Sequence, residues 1–330
     1  MKIDKNICKN ITSLGIGITS FCDLNCPHCY SRKLVQKSIS LQEFKKIINN
    51  FPNLKKINFG TGESILNEDF REIIDFLEKK NIEMALTTNG YSINLLEDAY
   101  IKKFIDVDVS LDFPKAELHD KWRGKLGLFK SAIRAIEKCK ELGVTVSIVM
   151  TLMNNNYKTL SGFKKLLDRY KIPLRINLYK PVYTKRFLLN YSEFWEAIKI
   201  LAENFELISN SEPLLTLFTK DKLSDSPCGN SARLHPNKEI TPCVYLAGKF
   251  SDFNKFREWK LLIPKECSNC IVAKSCRGGC LGRRLLTYGK PRPDQYCPIV
   301  NNKKMPKIKF AKAPEKDFIH SSYLCTIIVK

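Results

Sequence analysis

The chain has 330 residues, 44% of them hydrophobic, with 55 Lys and Arg against 34 Asp and Glu and a formal charge of +21. That length suggests about two domains with ample core. No apolar stretch approaches the ~20 residues of a membrane span, and residues 1–20 lack the apolar run and cleavage site of a signal peptide. The lysines are spread rather than run together, without a helix-turn-helix, zinc-finger or RNA-binding signature, so nucleic acid is not the expected main partner. A basic surface still attracts polyanions, an acidic peptide among them. In the reducing, cytoplasmic setting expected here, 13 cysteines point to metal rather than to disulfides.

In chain order, residues 15–20 read as a short strand ending just before Cys22, Cys26 and Cys29. Ser40-Leu-Gln-Glu43 is a capping box opening a helix through Phe44, Ile47 and Ile48. A strand over 56–59 precedes Gly60-Thr-Gly-Glu63, and Phe70, Ile73, Ile74 and Leu77 mark the next helix at i, i+3, i+4, i+7. Further strands are predicted over 82–87, 105–111, 144–150 and 173–178, with helices near 93–104, 127–142 and 157–170. Strands alternating with helices imply a parallel α/β sheet with right-handed crossovers. In barrels of that kind the chemistry sits at the C-terminal strand ends. Cys22, Glu63, Asn89, Asp112 and Thr151 all fall at such predicted ends. Cys139 falls on the apolar face of its helix and reads as core.

Gaps of three and two residues let the thiolates of Cys22, Cys26 and Cys29 converge on one inorganic centre. Structural zinc prefers a closed set built from paired elements, which fits less well. The run C-x3-C-x2-C followed by Tyr30 resembles the cluster motif of the radical S-adenosylmethionine (radical SAM) superfamily. The resemblance implies a partial (β/α)6 TIM-like barrel and a 4Fe–4S cluster with one open iron for S-adenosylmethionine. It also implies a cofactor site at Tyr30, Gly62, Glu63, Ser110, Asp112 and Arg123. By it, Gly62 and Glu63 match the last two positions of the family's G-G-E motif, whose carboxylate meets the cofactor's amino group, while Thr61 stands where the first glycine would be. Arg123, in a loop-like stretch His119-Asp120-Lys-Trp-Arg123-Gly124, would face the cofactor carboxylate, and His28 would shape the cysteine loop.

The second half carries Cys228, Cys243, then Cys267-x2-Cys270-x5-Cys276-x3-Cys280, and Cys297. This order resembles the SPASM domain of radical SAM enzymes that act mainly on peptides and proteins. By that resemblance Cys267, Cys270, Cys276 and Cys297 would hold a distal auxiliary 4Fe–4S cluster, and Cys228, Cys243 and Cys280 a near one, making three clusters in all. Lys238 stands where the pattern has glycine. The near cluster also lacks a fourth cysteine, leaving Asp225, Asp221 or an open iron. Cys8 and Cys325 lie outside both patterns and read as free thiols. The expected domains are a barrel over 1–210, a SPASM domain over 211–300 and a C-terminal tail over 301–330.

The implied activity is reductive cleavage of S-adenosylmethionine to a 5′-deoxyadenosyl radical that abstracts hydrogen from a ribosomally made peptide or protein. The outcome would be a thioether, a carbon–carbon crosslink or a related oxidation. The chain begins too close to the cysteine loop for an N-terminal peptide-recognition domain, so either a separate protein presents the precursor or the enzyme reads it directly. A flavodoxin or ferredoxin would supply electrons. The alternatives are a sulfatase-maturing, formylglycine-forming enzyme, a haem or quinone cofactor maturase, and, outside enzymes, an iron–sulfur electron carrier or basic nucleic-acid-binding protein.

Overall fold

The computed structural model describes residues 5–32, 34–218, 231–310 and 325–330. Among these, residues up to 149 and 231–251 form one compact unit, and 150–218, 252–310 and 325–330 a second.

In the first unit β1 (Ser13–Ile16), β2 (Lys56–Phe59), β3 (Glu83–Thr88), β4 (Phe104–Ser110) and β5 (Thr145–Leu152, its last residues belonging to the second unit) pair in parallel, each with the next. The alternation of strands and helices foretold this parallel run. A strand from the second half of the chain, β8 (Ser231–Leu234), pairs in parallel with the other edge of β1, and β9 (Ile240–Thr241) folds back antiparallel to it. In the second unit β10 (Thr326–Val329) lies between β6 (Leu174–Leu178) and β7 (Leu207–Asn210), antiparallel to both. Residues that sequence alone assigns to a tail thus supply a strand with paired neighbours on each side.

The helices of eight residues or more among the described residues are α1 (Leu41–Ile48), α2 (Phe70–Lys79), α3 (Ala116–Arg123), α4 (Leu128–Glu141), α5 (Tyr191–Asn204), α6 (Phe253–Leu261) and α7 (Leu281–Tyr288). Helix α1 starts with the predicted box: the Ser40 hydroxyl accepts from the Glu43 amide while Glu43 accepts from the Ser40 amide. Phe70, Ile73, Ile74 and Leu77 of α2 are fully buried, each side chain contributing roughly 1.5–3 kcal/mol. The stretch read as a loop around His119 is helix α3, ended by Gly124 at φ 77°. Its Asp120 carboxylate accepts from the Gly127 and Phe129 amides at 2.6 and 2.7 Å, which fixes the start of α4. The predicted helix near 93–104 is a 3-10 turn, Ser92–Leu95, followed by the single turn Asp98–Ile101. Thr151 lies inside β5 rather than beyond it. No helix among the described residues is long and apolar enough to cross a membrane.

Candidate cofactor site and cysteine-rich region

The loop after β1 carries Cys22, exposed, Cys26, buried, and Cys29, half-buried, none of them in a disulfide. Side chains from several neighbouring segments tie it down. The Tyr30 hydroxyl lies 3.1 Å from both the Gly60 carbonyl and Thr61 Oγ1, and its ring meets Tyr245 edge-on. Thr61, the departure from the glycine pattern, is therefore an anchor for the residue that follows the third cysteine. Gly17 makes room for it, since a Cβ there would stand 2.4 Å from Thr61 Cβ.

Gly62 is required by geometry. Its φ is +66°, and a Cβ would fall 2.5 Å from the Thr19 carbonyl oxygen and 2.7 Å from that of Phe21. The Glu63 amide donates to that Phe21 carbonyl at 2.8 Å, so the second strand end and the cysteine loop meet backbone to backbone. The Glu63 carboxylate is buried and accepts from Thr88 Oγ1 at 2.7 Å, the Asn89 amide at 2.9 Å and Ser92 Oγ at 2.6 Å. Burial raises its pKa while the three donors pull it back. A carboxylate has about four lone-pair sites, so one is left for an ammonium group.

Within the cysteine loop, Asp23 accepts from Asn89 Nδ2 and from Lys125 Nζ, each at 2.7 Å. His28 accepts from Trp122 Nε1 at 2.9 Å on Nδ1, which leaves the proton on Nε2, 3.4 Å from Asp112 Oδ2. Burial lowers the His28 pKa to about 4, so the ring is neutral near pH 7. Asp112 is fully buried at the end of β4, two residues past Ser110, and takes two guanidinium nitrogens of Arg123 at 2.9 and 2.8 Å. Its amide donates to His119 Nδ1 at 3.2 Å, and burial lowers the His119 pKa to about 3. Arg123 thus has a protein carboxylate as its partner. Two of its five donors are used, and its charge also reaches Cys26 and Cys29. Burial pushes the Cys26 thiol up to about 11 against that pull. Sequence reasoning missed Asp23, Trp122 and Lys125, because only the fold brings them to the loop.

In the second unit, Cys267 and Cys270 close one turn, the Cys270 amide donating to the Cys267 carbonyl at 3.0 Å. Cys276 ends a short helix, Gly278 and Gly279 follow with positive φ, and the Cys297 amide donates to the Asp294 carbonyl at 3.0 Å. Cys267, Cys270 and Cys276 each lie near enough to Cys297 for their charges to interact with it. Underneath lies a buried ionic group that no local pattern announces. Arg283 donates from Nε to Asp294 at 2.8 Å and from two further nitrogens to Glu212 at 3.2 and 2.8 Å, with its face over Tyr296. Cys280, at the start of α7, shares a hydrogen bond with Cys325, a residue read from sequence as a free thiol. That bond, with Lys180 and Arg283 nearby, lowers the Cys280 thiol to about 7 against desolvation.

Cys243 belongs to the first unit, just after the β8–β9 hairpin, where Thr241 Oγ1 donates to its carbonyl at 2.9 Å. In that hairpin Lys238 sits at φ 67°, the backbone of the glycine it replaces. Cys8 and Cys139 are buried. Cys228, Asp221 and Asp225 lie outside the described residues. Among those described, no three His, Cys, Asp or Glu side chains are drawn together tightly enough for one metal ion. Thiolates on separate corners of a cube stand farther apart than ligands of one ion. The cysteine loop, with its free thiols and a neighbouring guanidinium, fits a cluster of negative charge.

A loop of three cysteines between the ends of parallel strands, facing a buried Glu and an Asp–Arg pair, defines a class. The chain matches the model of the Radical SAM superfamily over residues 16–167. It is 28% identical to mycofactocin maturase MftC of Mycolicibacterium smegmatis over 85% of this chain and 81% of that protein. It is also 28% identical to Fe-coproporphyrin III synthase of Methanosarcina barkeri, over 69% and 60% respectively. Streptococcus suis SuiB, solved bound to S-adenosylmethionine, shares the fold at a TM-score of 0.67 with 17% identity, over 87% of this chain and 77% of that one. SuiB has also been solved bound to its precursor peptide SuiA.

Proposed function

We propose that this enzyme cleaves S-adenosylmethionine reductively and takes a hydrogen atom from a ribosomally made peptide or protein, installing a thioether, a carbon–carbon crosslink or a related oxidation. The observation that carries the reading is the pinned cysteine loop facing Glu63 and the Asp112–Arg123 pair, joined in one chain to the cysteine-rich second half. Likeness to MftC across both halves, and to SuiB with its precursor peptide, supports a peptide-modifying role. The barrel, SPASM and tail boundaries at 210 and 300 stand with that proposal.

Cys22, Cys26 and Cys29 would hold the first cluster, Cys267, Cys270, Cys276 and Cys297 the distal auxiliary one, and Cys228, Cys243 and Cys280 the near one. With S-adenosylmethionine bound, a cluster on those three cysteines would supply the single electron that starts the chemistry. The chain's own work is positioning. Glu63 offers its remaining acceptor site to the cofactor's ammonium, Ser110 and Asp112 line the fourth strand end, and Arg123 keeps donors for a carboxylate. Asp23, His28 and Tyr30 hold the loop still. A flavodoxin or ferredoxin would deliver electrons in the cytoplasm, and either a separate protein would present the precursor or the enzyme would read it directly. Likeness to Fe-coproporphyrin III synthase favours haem maturation as the second reading.

Anaerobically reconstituted protein should carry about twelve irons and form 5′-deoxyadenosine with reductant. Alanine at Cys22, Cys26 and Cys29 together should remove about four irons and end that product. A triple variant that still cleaves the cofactor sinks the site assignment. Offering the enzyme the peptide encoded by a neighbouring short open reading frame, or Fe-coproporphyrin, separates the two substrate readings by mass spectrometry.

A further inference from the structure

We propose that Cys325 is an iron–sulfur ligand alongside Cys280, the two thiolates serving one auxiliary cluster. This rests on the auxiliary-cluster reading above and adds a ligand from outside every cysteine motif.

Nothing in the spacing joins the two residues; the sheet does. Strand β10 runs between β6 and β7, with Thr326 opposite Asn177. Thr326 is clamped from the other side as well. Its amide donates to Ser211 Oγ and its carbonyl accepts from the Ser211 amide, both at 2.9 Å. With its successor held this way, Cys325 cannot wander, and its thiol meets that of Cys280 at the first turn of α7. Both residues border one small cavity, together with Cys276 and Lys260. Lys180, buried with its Nζ on the Leu178 carbonyl at 3.0 Å, places a positive charge near Cys280. A cation beside two thiolates offsets the negative charge that a cluster brings into a buried site. On ligation each S–H proton leaves to solvent and an Fe–S bond forms, with no change of oxidation state.

The backbone sharpens the point. Cys325 has φ +57°, a left-handed conformation that glycine takes freely and other L-residues disfavour. The fold alone is better served by glycine, so Cys325→Gly removes the thiol without straining the strand.

The test uses full-length protein with alanine at Cys22, Cys26 and Cys29, reconstituted anaerobically so that only auxiliary clusters remain. Adding Cys325→Gly should lower the iron from about eight to between about four and seven per chain. The paramagnetic resonance signal of a three-iron cluster should appear, or one auxiliary signal should vanish. Cys325→Ser, which keeps the side-chain volume, should alter the resonance spectrum of one reduced auxiliary cluster. Unchanged iron and unchanged spectra in both variants overturn the assignment. A parent protein holding zinc, or no iron at all, sinks the auxiliary-cluster reading itself and this ligand with it.

Discussion

The loop bearing Cys22, Cys26 and Cys29 and the segment bearing Cys267, Cys270, Cys276 and Cys297 are both runs of close-set cysteines, yet they are held by different means. The first is tied by side chains reaching in from other segments: Tyr30 to Thr61, Asp23 to Asn89, His28 to Trp122. Each tie is a separate hydrogen bond, typically contributing about 0.5–1.5 kcal/mol, so the loop depends on many small terms and on the sheet that sets their positions. The second is shaped by its own turns and rests on one charged group, Arg283 between Glu212 and Asp294, with all three side chains buried. A distributed network degrades gradually, whereas a single buried ionic group fails at once when a partner goes.

The largest effect is therefore expected at Arg283. Arg283→Met leaves two buried carboxylates without their cation, and breaking such a group costs about 3–5 kcal/mol. The urea midpoint should fall accordingly, and the auxiliary iron should go while the iron on Cys22, Cys26 and Cys29 stays. A loss under about 1 kcal/mol, the range of a surface pair, would break the contrast between the two regions.

Asp112→Asn tests the first region. The amide keeps the shape but not the charge that faces Arg123 and the His28 ring, and hydrogen bonds to charged groups contribute about 1.5–3 kcal/mol. The expected result is a loss of about 2 kcal/mol, with iron on the three-cysteine loop becoming easier to strip with a chelator. Auxiliary iron lost at the same rate would show that the two regions do not fail independently.

The smallest effect has the opposite sign. Lys238 holds a left-handed backbone that costs a non-glycine residue about 1 kcal/mol. Its ion pair with Glu43, which keeps that carboxyl below its usual range, is exposed and contributes about 0–1 kcal/mol. Lys238→Gly should leave the protein equally stable or up to about 1 kcal/mol more stable by thermal unfolding. A clear destabilisation would mean that the Glu43 pair, not the backbone, governs the hairpin before Cys243.

The sequence by itself determined several of the elements and the close spacing of the cysteines. The period of Phe70, Ile73, Ile74 and Leu77, the Ser40–Glu43 box and the alternation of strand with helix are local patterns, and each folds as its spacing requires. The close-set cysteines were legible for the same reason: a few residues of chain confine their thiolates to one neighbourhood whatever the rest does. Tertiary structure decided which side chains hold those cysteines still. Glu212 and Arg283 lie 71 residues apart, Lys125 and Asp23 102 apart, and no short-range pattern can encode such a meeting. It arises only when strands pair in register and bring their ends together. Cys325 shows the division most plainly, because its spacing places it in no motif. A strand slotted between β6 and β7 sets its thiol against Cys280, since pairing on both sides leaves the chain no other course.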